Sequence, residues 1–290
     1  MIKRKTLKEL TIKDNFMFGA VMCDERNCRR LLELVLGFPI ARVEVSKEKC
    51  IVYHPEYKGI RLDVYAKDEY NTHYNVEMQT IAQAALGKRA RYYHSQIDMD
   101  MLAVRKEYLE LPNAYIIFIC DFDPFKLGKY RYTFRQQCQE EPEALLDDGR
   151  MTIFLNTRGE NPSEVSPELV KFLMYVRADL NESTADFDDD FVDSLQKSVY
   201  DIKQSRRMEE RYMLTELLMQ DERRAGRIEC RIEGRIEERR DSILDFLSEI
   251  GAVPQLLQDQ IMQEEHLEKL RAWAKLAAKV ETIEQFMEDM

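Results

Sequence analysis

RLDVYAKD at residues 61–68, followed one short turn later by NVEMQ at 75–79, decides how this chain is read. In the first piece Leu62, Val64 and Ala66 alternate with Arg61, Asp63, Tyr65 and Lys67; in the second Val76 and Met78 alternate with Asn75, Glu77 and Gln79. A period of two predicts two strands. The link Asp68-Glu69-Tyr70-Asn71-Thr72 is short and polar, so an antiparallel hairpin is the economical connection. Side chains along a strand point alternately to opposite faces, so Glu77 and Gln79 share a face, and the hairpin lets Asp63 lie on it too. Two acids and an amide on one sheet surface call for a chemical reason.

Working outward, the segment before the hairpin reads as helical. Asp14 is placed to cap a turn holding Phe16, Ala20 and Val21, and Asp24 to cap ERNCRRLLELVLG, which stops at Gly37 with Pro39 beyond. A strand is expected over 41–53. After the hairpin, 83–109 carries a helical pattern through Tyr93, Ile97, Leu102 and Val104, and Ile116–Cys120 is a continuous apolar run that reads as a buried strand. KYRYTFRQQCQ and MTIFLNTRG supply two further strand candidates, and Asp121-Phe122-Asp123-Pro124 a strand-end turn. An α/β module over residues 1–160 follows from this order.

Beyond it, 161–290 is expected to be α-helical. NESTADFDDDFVD reads either as a solvated linker or as an acidic helix start. The stretch RIECRIEGRIEERR at 227–240 repeats Arg, Ile and Glu every fourth residue, which predicts a solvated helix bridging itself through Arg–Glu pairs and able to pack against a second copy. Gly251 and Pro254 break the pattern before short amphipathic helices, one carrying Trp273 as a packing anchor.

Composition sets outer limits. The chain has 290 residues, 44% hydrophobic and 33% charged, ample for one sizeable core and a smaller unit. No stretch approaches the roughly 20 apolar residues that span a bilayer, and the basic N-terminus lacks the apolar run of a secretory signal. Six scattered cysteines without CxxC pairs fit reduced thiols in the cytoplasm, and four histidines without ligand spacing argue against zinc. The net charge of −11 hides an asymmetry: residues 1–135 sum to +5 and the remainder to −16. Phosphate binding depends on local charge, so a mildly basic front module keeps nucleic acid open as a partner.

Acids on adjacent strands beside a basic helix suit a hard divalent cation, which takes oxygen ligands and is typically held by one or two carboxylates plus substrate phosphates. Such an ion generates a nucleophilic water and neutralises charge on a scissile phosphate. Gln79 stands where a third group would orient that water, although a neutral amide cannot take its proton. Lys88, Arg89 and Arg91 open the following helix beside Tyr92 and Tyr93, a mixture suited to backbone phosphate contacts and stacking.

The ordered run LTIKDNFMFGAVM, GIRLDVYAKD, NVEMQ and KRARYYHSQ, with YIIFI as the next strand, resembles the PD-(D/E)XK nuclease superfamily. The likeness is closest to its transposase-associated, recombination-promoting branch and covers roughly residues 6–160. It implies a restriction-endonuclease-like core, an αβββαβ mixed sheet flanked by helices, followed by the α-helical C-terminal region. It further implies that Asp63 and Glu77 bind Mg²⁺, with Mn²⁺ as a substitute, together with the backbone carbonyl of Met78. Gln79 would replace the usual lysine. An added acid from the first helices would be Glu33, with Asp14 second. The function implied is a Mg-dependent DNA endonuclease in recombination or mobile-element activity, assembled as a homodimer through the helical C-terminal region. The competing expectation is a nuclease-fold protein without catalysis that binds DNA or serves assembly.

Overall fold

The computed structural model describes residues 5–51, 59–102, 104 and 106–290, and within them every side chain except those at 47, 48, 222, 223, 225, 226, 229 and 230. The last two residues of the expected strand 41–53, His54, Ala103 and Arg105 of the expected helix 83–109, and the Glu229 and Cys230 side chains of the repeat lie outside the described residues. The chain divides into two compact units, Met1–Tyr212 and Met213–Met290.

The first unit opens with helices α1 (Asn15–Met22) and α2 (Glu25–Leu36). Asp24 caps α2 by accepting the Arg26 N–H at 2.9 Å, which satisfies one of the donors a helix start leaves bare. Gly37, at φ 80°, ends it in the left-handed region. Asp14 holds the N-cap position of α1 but its side chain turns back: Oδ2 accepts the Thr11 N–H at 2.7 Å and Oδ1 the Lys5 ammonium at 2.8 Å.

Strands β1 (Val43–Ile51), β2 (Ile60–Asp68), β3 (His73–Gln79), β4 (Ala114–Cys120), β5 (Arg131–Phe134) and β6 (Arg150–Asn156) form a six-stranded sheet in the order β1-β2-β3-β4-β6-β5. The first three run antiparallel as a meander, β3, β4 and β6 are parallel, and β5 returns antiparallel to β6. Parallel neighbours need a long crossover. Helix α3 (Leu86–Met101) supplies it between β3 and β4, shorter than the pattern over 83–109 predicts. Ala85 precedes its first turn at φ 64°, and that left-handed residue sets where the helix starts.

Strand β3 is buried along its whole length because helices cover both faces of the sheet. On one face Val64, Val76, Ile117 and Ile153 pack with α1, α2, α4 (Pro167–Arg177) and α5 (Asp190–Gln204). On the other, Leu86, Ala90 and Ile97 of α3 lie on Ile116, Phe118 and Phe154. This helix–sheet–helix sandwich around a mixed sheet is the restriction-endonuclease-like architecture expected. The acidic stretch before α5 is a helix start: Asp189 accepts the N–H groups of Phe191 and Val192 at 3.0 and 2.9 Å.

Helix α6 (Arg206–Ile250) carries the Arg-Ile-Glu repeat without interruption, and α7 (Gln255–Gln263), α8 (Leu267–Ala277) and α9 (Ile283–Asp289) complete the second unit. Its small core joins Ile243, Leu247, Leu257, Ile261 and Phe286 around Trp273, which packs as the anchor expected of it. Among the described residues no Arg–Glu ion pair forms inside the repeat, unlike the self-bridged reading, and Ile228 and Ile232 stand exposed. Among the described residues no disulfide forms and no helix is long and apolar enough to cross a membrane.

Two histidines in the first unit are buried and neutral. His73 pairs through Nδ1 with the Tyr65 hydroxyl, and His94 through Nε2 with Thr152 Oγ1 at 3.0 Å. Burial pushes both from the ordinary 6.5 down to about 4. The unfolded chain takes up protons at these positions where the folded one does not, so stability is lost as pH falls from about 6.5 towards 4. Urea unfolding across that window should show the decline, and His73→Gln and His94→Gln should each reduce its slope; an unchanged slope in both variants would refute the assignment.

Candidate active site

The register of the hairpin decides which residues meet. Asp68 ends β2, and its Oδ1 accepts the N–H groups of Tyr70 and Thr72 at 2.9 and 2.8 Å while Oδ2 accepts the Tyr74 hydroxyl at 2.7 Å. Asn71 takes φ 61°, a region asparagine enters more readily than most residues. The closed turn pairs Lys67 with His73 and Val64 with Val76, so the next pair along sets Asp63 opposite Glu77. Val64, Ala66, Val76 and Met78 face α1 and α2, whereas Tyr65 lies with α3 on the opposite face. Alternation puts Asp63, Asn75, Glu77 and Gln79 on that second face.

At the acidic pair, side chains take up the strand-to-strand bonding. The Asp63 N–H donates to Glu77 Oε1 at 3.2 Å, and the Met78 N–H donates to Asp63 Oδ2 at 3.2 Å. Each carboxyl thus reaches across the β2–β3 seam to the other's strand. The N–H and C=O of one strand residue point to the same edge, so the Met78 carbonyl faces β2 as well. Asn75 donates from Nδ2 to Glu77 Oε1 at 3.2 Å.

The counter-charge arrives from α3. Arg89 Nη2 donates to Glu77 Oε2 at 2.9 Å, Nη1 to Gln79 Oε1 at 3.3 Å and to Gln83 Oε1 at 3.1 Å, and Nε to the Tyr93 hydroxyl at 2.7 Å. Glu77 is only 1% exposed. Burial raises its carboxyl to about 7, the charge of Asp63 adds to the rise, and Arg89 opposes it. Arg89 is the cation that reaches Glu77, and the Asp63 carboxyl meets Glu77 across the same seam.

That meeting of two carboxyls tests the metal expectation. Among the described residues no group of three or more His, Cys, Asp or Glu could hold a metal ion, which disfavours a closed protein cage. Two carboxylates and a backbone carbonyl are nonetheless the hard oxygen set that a magnesium-type ion accepts, with water and phosphate oxygens as further ligands. The residues fit such an ion. Gln79, 6% exposed, gives Oε1 to Arg89, so its NH₂ group is the part left to donate. Its backbone is fixed through the Asp121 N–H, which donates to the Gln79 carbonyl at 2.9 Å, and Thr157 Oγ1 and Lys13 Nζ donate to Asp121 at 2.9 and 3.3 Å.

The other residues singled out in the sequence are placed variously. Lys88 and Arg91 are exposed on α3, and Tyr92 is half-buried. Tyr93 is buried and stacks on Phe118 at 6.4 Å between centroids, with its hydroxyl committed to Arg89. Glu33 is not brought to the pair. It belongs to α2, which packs on the far face of the sheet, and its Oε1 accepts the Ile40 N–H at 3.0 Å. Asp14 is likewise tied to Thr11 and Lys5. The sequence reading passed over Asn75, although a polar residue two before Glu77 in a strand with no exposed position signals it. It also did not foresee that Arg89 turns inward.

A family model described as PD-(D/E)XK nuclease family transposase matches residues 13–225. The chain matches no curated protein and no solved structure. The matched span contains the hairpin, α3 and every strand, and runs on into α6.

Replacing Arg89 by methionine should leave Glu77 buried beside Asp63 without its cation, a loss of about 2–3 kcal/mol. Adding Glu77→Gln to that variant should recover most of it. Urea denaturation of the single and double variants reads both effects, and an Arg89→Met chain as stable as wild type would show that the guanidinium does not balance the acid.

Proposed function

The chain belongs to the PD-(D/E)XK nuclease family transposases, and from that membership we propose that it is a divalent-metal-dependent endonuclease hydrolysing phosphodiester bonds of DNA in recombination or mobile-element activity. The observation that carries the proposal is the meeting of Asp63 and Glu77 across one strand seam, on one face, with Glu77 buried.

In this reading Asp63, Glu77 and the Met78 carbonyl hold Mg²⁺, with Mn²⁺ as a substitute. When bound, the ion polarises the scissile phosphate and lowers the pKa of an attacking water. Arg89 fixes Gln79 through its Oε1, and the remaining amide NH₂ donates to a water or phosphate oxygen without taking a proton. A second water or the substrate phosphate then serves as base. Lys88 and Arg91, exposed at the start of α3, supply backbone phosphate contacts, with Tyr92 beside them. Tyr93 acts through Arg89, whose side chain it braces. The cytoplasm is the compartment that goes with this role.

Two cuts need two active sites, which favours a homodimer, and helix α6 offers the surface for it. At about 100° per residue, Leu214, Leu217, Leu218, Ile228 and Ile232 fall within an arc of about 100°, as two apolar patches with Asp221 on the same arc between them. All five are at least 46% exposed. Covering both patches with a second α6 is the simplest way to remove them from water.

A second reading keeps the fold and drops the chemistry. Arg89 already pairs with Glu77, and Gln79 stands where a lysine would assist, which favours a DNA-binding or assembly protein without catalysis.

With supercoiled plasmid and Mg²⁺ the wild type should nick, EDTA should stop it, and Mn²⁺ should restore it. Asp63→Ala and Glu77→Ala should each lower the rate at least about a hundredfold. Equal inertness of all three proteins sinks the hydrolytic proposal in favour of the second reading. Sedimentation velocity should find a dimer that Ile228→Lys with Ile232→Lys converts to monomer; a monomeric wild type refutes the assembly.

A further inference from the structure

The flank of α3 turned towards β5 and β6 leaves a cavity of about 300 Å³ of which the hydrolytic reading uses only Arg91, at its edge. Arg91 and His94 of α3, Phe134 and Arg135 at the end of β5, Phe125 of the β4–β5 turn and Phe154 of β6 line it. Phe125 meets Phe154 edge-to-face at 5.1 Å between centroids, Phe134 meets Phe154 at 5.7 Å, and Phe125 lies 5.0 Å from Phe134. The turn that presents Phe125 is built by Asp123, whose Oδ1 accepts the Phe125 N–H at 3.0 Å and whose Oδ2 accepts the Gly128 N–H at 2.8 Å. The aromatic wall is therefore held in place before anything binds.

Its rim is cationic. No acid lines the cavity among the described residues, in a chain of net charge −11. Of the three arginines there, Arg150 is paired with Asp98, while Arg91 and Arg135 have no carboxylate partner among the described residues. Deeper in, His94 is 5% exposed and bonded through Nε2 to Thr152, and its Nδ1 lacks a partner among the described residues. Gln136 adds an amide at the mouth.

Aromatic rings, two guanidiniums without a carboxylate partner among the described residues (Arg135 donating only to the Met151 sulfur) and a few neutral hydrogen-bonding groups around one small volume fit a ligand that is planar and anionic at once. Inorganic phosphate makes no use of the rings, and an uncharged aromatic makes no use of the arginines. We propose that this cavity receives one nucleotide of an unpaired strand, its base among the phenylalanines and its phosphate against Arg91 and Arg135. A base inside a duplex stays stacked on its neighbours and cannot enter, so the site selects single-stranded or opened DNA. The inference rests on the reading of DNA as substrate and names the form of DNA that is captured. A free nucleotide shares this chemistry, and the experiment separates the two sources.

Binding is measured on the full chain in EDTA, where no cleavage occurs, by fluorescence anisotropy of a labelled oligothymidylate alone and in duplex with oligodeoxyadenylate. The single strand should bind the more tightly. Arg135→Glu and Phe134→Ala, both at exposed positions, should each weaken single-strand binding about tenfold and duplex binding much less, with circular dichroism unchanged. Thymidine monophosphate at modest concentration should not displace the strand; saturable binding of the mononucleotide, lost in the same two variants, instead supports the site with a free nucleotide as occupant. Wild-type single-strand affinity in both variants overturns the inference. If that happens while plasmid nicking persists, the cavity assignment alone fails; if the variants lose single-strand binding while the wild type never nicks, only the hydrolytic reading fails.

Discussion

One carboxylate at the end of β2 governs the candidate site without belonging to it. Asp68 accepts two backbone N–H groups and a tyrosine hydroxyl, and so closes the hairpin turn in a single geometry. Because strand side chains alternate with a period of two, a slip of one residue would carry a whole strand's polar set from one face to the other. Glu77 would then point into the apolar layer of α1 and α2 and lose Arg89. The turn thus fixes register, register fixes the meeting of the acids, and their meeting makes a cation site conceivable.

The second determinant is electrostatic. A carboxyl group as buried as Glu77 is costly unless compensated; α3 supplies the compensation through the Arg89 guanidinium, while the charge of Asp63 works against it. The arrangement, with a second carboxyl facing the pair, differs from a structural ion pair of one acid and one base. It also gives Gln79 a defined place. An amide accepts from Arg89 on its oxygen side and donates on its nitrogen side, whereas a lysine at this position would face the guanidinium as a like charge.

The hairpin and the buried strand at 116–120 were legible in the sequence because a period of two, a polar link and a continuous apolar run are local signals. The shared face of Glu77 and Gln79 follows from the same arithmetic. The direction of Arg89 is not local: it depends on where α3 begins, and that is set by the left-handed Ala85, which no composition rule anticipates. Glu33 shows the same limit, since its helix was foreseen but the layer it packs into is a tertiary choice. Likewise an amphipathic period identifies α4 and α5 as helices without saying which core they join, and both bury apolar residues in the core of the sheet. The Arg-Ile-Glu spacing promised ion pairs, yet a four-residue repeat sets arginine beside arginine and glutamate beside glutamate on successive turns, so the i,i+4 neighbours carry like charges.

Helix α3 ties two features together. Arg89 and Arg91 stand two residues apart on it, one turned to the acids and the other to the aromatic cavity. An α-helix rises about 1.5 Å per residue and barely stretches, so the spacing between these anchor points is invariant. At about 100° per residue the two side chains leave opposite sides of the helix. A strand held at both sites would therefore wrap the width of α3, and the offset between them would be set by this spacing and not by base sequence.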